Sequence, residues 1–180
     1  MTTRQMFGRE VIYSSEEAIT SENVVKILKD AYSIHQKNSA DIDYLYNYYK
    51  GNQPILQREK LIRPEINNKI VENHAYEIVG EPVQYVRRGE EDGVSDRIAL
   101  LNEYMFTVDK ALQDKDLAEW FNIGGTSYRM VLPNKDYADY FDESPFEIDT
   151  LDPRYTFVVY NNGFGKRPLM GVKYIQTDDR

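Results

Sequence analysis

Residues 157–163 read Phe-Val-Val-Tyr-Asn-Asn-Gly, and this stretch decides the fold class. The first four residues are aromatic or β-branched, which is typical of a strand, and Asn-Asn-Gly tolerates the positive φ angles of a hairpin turn. Residues 169–175 supply the returning strand. Because apolar and polar residues already alternate from Thr126 onward, residues 126–180 predict antiparallel strands.

Residues 1–51 predict a helical entry segment. Ser14 and Glu17 have the spacing of a capping box, which predicts the start of a helix at that point. Apolar residues then recur every three or four positions as far as Ile34. The Asn-Ser pair at 38–39 predicts a break, and a second helix would end at Gly51, a residue suited to the left-handed backbone at a helix end.

Residues 52–125 predict helices with one short strand. The patterns predict a helix over residues 67–79, a strand over residues 82–86, and two further helices around residues 98–105 and 112–121. A kink near Asp109 would join the last two. Helices followed by an antiparallel sheet make an α+β chain, which we expect to form a single domain over residues 1–180.

Composition excludes several classes of protein. The net charge of -8 makes the surface repel nucleic acid, so a free-standing DNA-binding or RNA-binding protein is disfavoured. The absence of Cys excludes disulfides and thiolate metal sites, and the sequence has no apolar run long enough to cross a membrane. We therefore expect a protein without membrane contacts, and the absence of Cys fits synthesis in a reducing cytoplasm.

The residues that usually carry catalysis do not form a recognisable constellation. His35 and His74 lie in predicted helices without the spacing of zinc ligands. The Gly-Gly-Thr-Ser at 124–127 lies between a helix and a strand, which is the reverse of a phosphate-binding loop. We predict that the chain is not an enzyme and has no catalytic, cofactor-binding or metal-binding residues.

An acidic stretch between Pro133 and Pro153 leaves one enzymatic alternative open. Its carboxylates supply enough oxygen ligands for a hard cation, but they lack the order of a calcium-binding loop. A metal-dependent nuclease is therefore the less favoured alternative, and a solvated loop that protects a sheet edge is the preferred interpretation. The acids are Asp136, Asp139, Asp142, Glu143, Glu147, Asp149 and Asp152.

Tyrosine is unusually frequent, with 15 residues against 7 Phe and 1 Trp. A tyrosine ring packs while its hydroxyl stays in water, so this residue suits half-buried positions and contact surfaces. Four tyrosines are concentrated in the second predicted helix. We predict them as candidate contacts with an oligomer neighbour or another partner: Tyr44, Tyr46, Tyr48 and Tyr49.

Several segments, taken in order, resemble the portal proteins of long-tailed bacteriophages that infect Gram-positive bacteria. They are DYLYNYYKG at 43–51 with QPI at 53–55, NNKIVEN at 67–73, GEPVQY at 80–85, residues 122–132, LDP at 151–153 with FVVY at 157–160, and residues 168–174. None is diagnostic alone, but their order and spacing are specific. The resemblance implies the N-terminal, wing-like part of such a protein, with the stem, clip, tunnel loop and crown beyond Arg180.

The resemblance implies a structural role at the capsid vertex of the virion. Portal proteins form a dodecameric ring that is the conduit for DNA packaging and ejection and the platform for head-tail joining. Expected partners are further copies of the chain, the large terminase, a capsid or scaffold protein and a head-completion adaptor. DNA would pass through the channel without tight binding by this segment. The remaining alternative is a free-standing, truncated portal-like interaction module.

Overall fold

The computed structural model describes residues 10–52, 64–86, 89, 94–135 and 144–176, with side chains of the second and third helices described from residues 69 and 96. The chain divides into two compact units. Unit 1 comprises Met1–Pro64 and Asp152–Arg180, and unit 2 comprises Glu65–Leu151. The prediction of one wing-like domain over residues 1–180 stays a prediction, within which the contacts form these two units.

Four helices and five strands occur among the described residues. The helices are α1 (Val24–Tyr49), α2 (Pro64–Val79), α3 (Val94–Thr107) and α4 (Lys110–Gly124). The strands are β1 (Ile12–Ser14), β2 (Tyr128–Pro133), β3 (Phe146–Leu151), β4 (Thr156–Asn161) and β5 (Pro168–Lys173). The predicted α+β class is confirmed. No helix in the described ranges is long and apolar enough to cross a membrane.

Unit 1 packs α1 against a three-stranded sheet of order β1-β4-β5. β4 and β5 form the predicted antiparallel hairpin, whereas β1 pairs with β4 in parallel. The positive φ angles of the hairpin loop fall at Gly165 and Lys166 rather than at the Asn-Asn-Gly stretch. The core consists of Ile12 from β1, Ile27 and Ala31 from α1, and Phe157 and Val159 from β4. Met170 and Val172 of β5 pack against this core.

The predicted helix start at Ser14 is wrong, because Ser14 ends β1. Burial of Ile12 in the core and pairing with β4 outweigh the local capping pattern. Helix α1 instead begins after Asn23, whose side-chain oxygen accepts a hydrogen bond from Thr20 N at 2.8 Å. Thr20 Oγ1 in turn accepts from Asn23 N at 3.3 Å. This reciprocal pair holds the turn that precedes the helix.

Helix α1 also continues through the predicted break at 38–39. The Asn38 side chain is buried and bridges the backbone of Glu10, accepting from its N at 3.0 Å and donating to its O at 2.8 Å. Since this side chain satisfies a distant backbone, it does not compete with its own helix. The predicted end at Gly51 is confirmed: φ is 77°, and Gly51 N and Asn52 N donate to Tyr48 O and Asn47 O.

Unit 2 contains α2, α3, α4 and the antiparallel β2–β3 hairpin. The predicted break between α3 and α4 is confirmed at Asp109, which adopts a left-handed φ of 51°. The predicted strand at 82–86 is wrong, because this segment pairs with no strand among the described residues. Its Tyr85 backbone instead exchanges two 3.0 Å hydrogen bonds with the Asn102 amide, which takes the place of a neighbouring strand.

Helix α4 joins the β2–β3 hairpin through Gln113. Its side-chain oxygen accepts from Thr150 N at 2.8 Å, and its backbone oxygen accepts from Thr150 Oγ1 at 3.0 Å. The chain then turns from α4 toward β2 at Gly125, where φ is 63°. The predicted order of a helix before residues 124–127 and a strand after them is thus confirmed.

Candidate functional site

Among the described residues of unit 1, the side chain of Arg154 joins several polar partners just after the turn at Pro153. Its guanidinium donates to both oxygens of Asp152, at 3.1 and 2.6 Å, and to Asp43 Oδ1 at 3.0 Å. It also lies over the Tyr46 ring, 4.2 Å from the centroid. The hydrogen bond to Asp152 is the largest cause that raises the pKa of Arg154 above its ordinary value. The side chain therefore ties α1 to the turn before β4.

The backbone oxygen of Arg154 is a second point of convergence. It accepts from His35 Nε2 at 3.0 Å, Ser39 Oγ at 2.8 Å and Tyr174 Oη at 3.0 Å. These donors come from α1 and from the residue after β5. We call Arg154, Asp43, Asp152 and these three donors the Arg154 cluster. It holds helix, turn and sheet in one arrangement.

His35 is the buried titratable group of the Arg154 cluster. Its side chain is 2% exposed and stacks on Phe157 with ring centroids 4.5 Å apart. Burial lowers the pKa of His35, and the bond to the Arg154 carbonyl requires a proton on Nε2. His35 is thus a neutral structural residue. His74, in contrast, lies exposed on α2.

The lowered pKa of buried His35 predicts that the stability of the fold depends on pH. Because the folded-state pKa of His35 is depressed, the unfolded chain takes up a proton first as the pH falls through 6.5. We expect the free energy of unfolding to decrease from roughly pH 7.5 to 5.5, by about 1.4 kcal/mol for each unit of pKa difference. His35→Gln should remove this slope, and His74→Gln should keep it. Equal slopes in denaturant titrations of the two variants would contradict the assignment.

The four predicted contact tyrosines separate into two pairs. Tyr44 and Tyr48 are 54% and 40% exposed on α1. Tyr49 is buried, and Tyr46 lies half-buried under Arg154 with its ring 6.4 Å from that of Tyr49. The predicted contact with a neighbour stays a prediction. Of the four, Tyr44 and Tyr48 are the ones exposed to solvent.

Unit 2 contains an apolar groove of about 380 Å³ that sequence patterns did not predict. Lys110 and Asp114 lie beneath its apolar walls and are joined by a hydrogen bond. Burial would raise the pKa of Asp114, but the hydrogen bonds and charges of Lys110 and Arg129 outweigh it and hold the pKa below its ordinary value. The other lining residues are Ile78, Val79, Val83, Leu117, Ala118, Phe121 and Ser127. In the sequence, the i,i+4 spacing of Lys110 and Asp114 could have indicated their ion pair on α4.

The acidic stretch is only partly described. Asp136, Asp139, Asp142 and Glu143 lie outside the described residues. Glu147 and Asp149 are exposed on β3, and Asp152 belongs to the Arg154 cluster. Within the ranges that the structure describes, no three His, Cys, Asp or Glu residues are grouped to hold a metal ion.

A comparison with protein families identifies the chain. The family described as phage portal protein, SPP1 Gp6-like, matches residues 28–180. The chain belongs to this phage portal family. The resemblance stated from the sequence is confirmed. The portal match includes α1 from Leu28 and all of unit 2, and hence the Arg154 cluster and the apolar groove, whereas β1 lies before it. A search of curated proteins found no match.

Proposed function

We propose that the chain is a structural subunit of the portal ring at the capsid vertex, the conduit for DNA packaging and ejection and the platform for head-tail joining. The observation that carries this proposal is the portal-family match over residues 28–180, which extends through both compact units. A structural role also agrees with the Arg154 cluster, whose polar groups bind one another. Arg154 is paired with two carboxylates, and His35 is buried against Phe157.

The proposed partners are other copies of the chain in a dodecameric ring, the large terminase, a capsid or scaffold protein and a head-completion adaptor. The virion is the proposed location, after assembly in the host cytoplasm. DNA is proposed to pass without tight binding to this segment, since a net charge of -8 gives no general attraction to phosphates. A net negative charge suits a conduit through which DNA must move.

Tyr44 and Tyr48 are proposed as contacts with the neighbouring subunit. They lie one helical turn apart on α1, so their rings share a face. Tyrosine is enriched at the centres of interfaces because a large ring is buried at a small cost in side-chain entropy. Tyr32, on the same helix and 38% exposed, provides a matched control.

Co-expression with a full-length portal protein of the same family tests the proposal. We expect tagged chain to enter mixed rings, and native mass spectrometry to count the copies. Tyr44→Ala with Tyr48→Ala should lower the incorporated fraction at least about tenfold, as for interface hot spots, while Tyr32→Ala should not. Rings that exclude the tagged chain would contradict the ring role. Equal incorporation of both variants would contradict only the tyrosine contact.

A further inference from the structure

The loop of the β4–β5 hairpin presents a fully exposed phenyl ring at Phe164. The loop has a defined shape, because Asn161 Oδ1 accepts from Gly163 N at 2.6 Å and Asn161 N donates to Arg167 O at 2.8 Å. Asn161 Nδ2 also donates to Glu16 O at 2.7 Å. The hairpin therefore holds an aromatic side chain in water at a fixed place. We call residues 162–167 the hairpin tip.

The apolar groove of unit 2 offers a receptor for such a ring. Three of its wall residues, Ile78, Val83 and Phe121, are each more than half exposed. An aromatic anchor that fills an apolar pocket is the usual centre of a protein interface. The volume of about 380 Å³ has room for a phenyl ring.

The charges around the two features are complementary. Two acids, Glu77 and Glu81, lie beside the groove residues Ile78 and Val83 in the sequence. Residues 160–168 contain Lys166 and Arg167 and no acid. Glu77 and Glu81 are exposed, as are both basic residues of the hairpin tip. The two basic residues that follow Phe164 would thus meet the two acids beside Ile78 and Val83.

We propose that the hairpin tip of one copy docks Phe164 into the apolar groove of a second copy, with Arg167 facing Glu81. This inference rests on the proposed ring function. The tip and the groove are different surfaces, so the contact is heterologous and can repeat from copy to copy until a ring closes. A second copy is the expected occupant because the chain carries both the exposed Phe164 ring and the apolar groove that would receive it.

The absence of native Cys allows a direct cross-linking test. Phe164→Cys and Val83→Cys are made in separate chains with different tags, mixed at high concentration and oxidised mildly. We expect a disulfide-linked heterodimer, at least about tenfold more abundant than with Ile175→Cys in place of Phe164→Cys. Ile175 is the matched control because it is apolar and 83% exposed. Equal yields from the two mixtures would overturn the proposal.

Charge exchange gives a second readout. Arg167→Glu in the Phe164→Cys chain should lower the heterodimer yield severalfold, and Glu81→Arg in the Val83→Cys chain should restore it. If Glu81→Arg does not restore the yield, Arg167 does not pair with Glu81 and that part of the proposal is wrong. A chain carrying both Cys substitutions that links only within itself would also overturn the contact between copies. Entry into mixed rings is measured separately, so a failed cross-link does not decide the ring function.

Discussion

Replacing Phe157 with Ala is expected to lower the free energy of unfolding by about 3–5 kcal/mol. The side chain is 1% exposed and lies in the core of unit 1, stacked on His35. Truncation removes the transfer free energy of the ring and leaves a cavity beneath α1 that the sheet cannot fill completely. Urea titration followed by circular dichroism measures the change.

Phe164→Ala is the matched control for this experiment. The same substitution at a fully exposed ring should change the free energy of unfolding by less than about 0.5 kcal/mol. A cost below about 1 kcal/mol for Phe157→Ala would contradict the described core. A large cost for Phe164→Ala would show that its ring is buried within the folded chain.

Replacing Arg154 with Ala is expected to lower the free energy of unfolding by about 2–3 kcal/mol. The substitution leaves Asp43 and Asp152 without their common cation and exposes the Tyr46 ring. Because Asp43 is half exposed, the loss should be smaller than for a fully buried ion pair. Hydrogen exchange of peptides from α1 and β4 locates the effect.

Two further variants separate the roles of the Arg154 side chain. Arg154→Lys should recover only part of the stability, because one ammonium group cannot donate to both carboxylates in the geometry of the guanidinium fork. Arg167→Ala removes an exposed cation from the hairpin tip and should leave the stability unchanged. Full stability in Arg154→Lys would show that charge alone accounts for the cluster.

The elements that local chemistry determines were predicted from the sequence. Gly51 ends α1 and Asp109 separates α3 from α4, as their neighbours indicated. The antiparallel β4–β5 pairing followed from the aromatic and β-branched residues of β4 and from the Asn-Asn-Gly stretch after them, although the positive φ angles of the loop fall at Gly165 and Lys166. In each case the decisive interactions lie within a few residues of one another.

The elements that long-range contacts determine were not predicted. β1 has three residues and pairs with β4 near the other end of the chain, so no local period indicates it. In the sequence Asn38 is typical of a helix break, and only its distant partner, the Glu10 backbone, explains why the helix continues. The three donors to the Arg154 carbonyl come from distant segments for the same reason. Of the candidate tyrosines, only tertiary packing distinguishes exposed Tyr44 from buried Tyr49.

Electron microscopy of particles purified through a tag on this chain, after co-expression with a full-length portal protein of the family, tests the central claim most directly. A portal subunit must occupy a position in a closed ring around an open channel. The proposed function predicts ring-shaped particles in which density for the two compact units replaces the matching part of some full-length subunits. Tagged chain that purifies only as separate small particles, while the full-length protein forms rings without it, would contradict the claim.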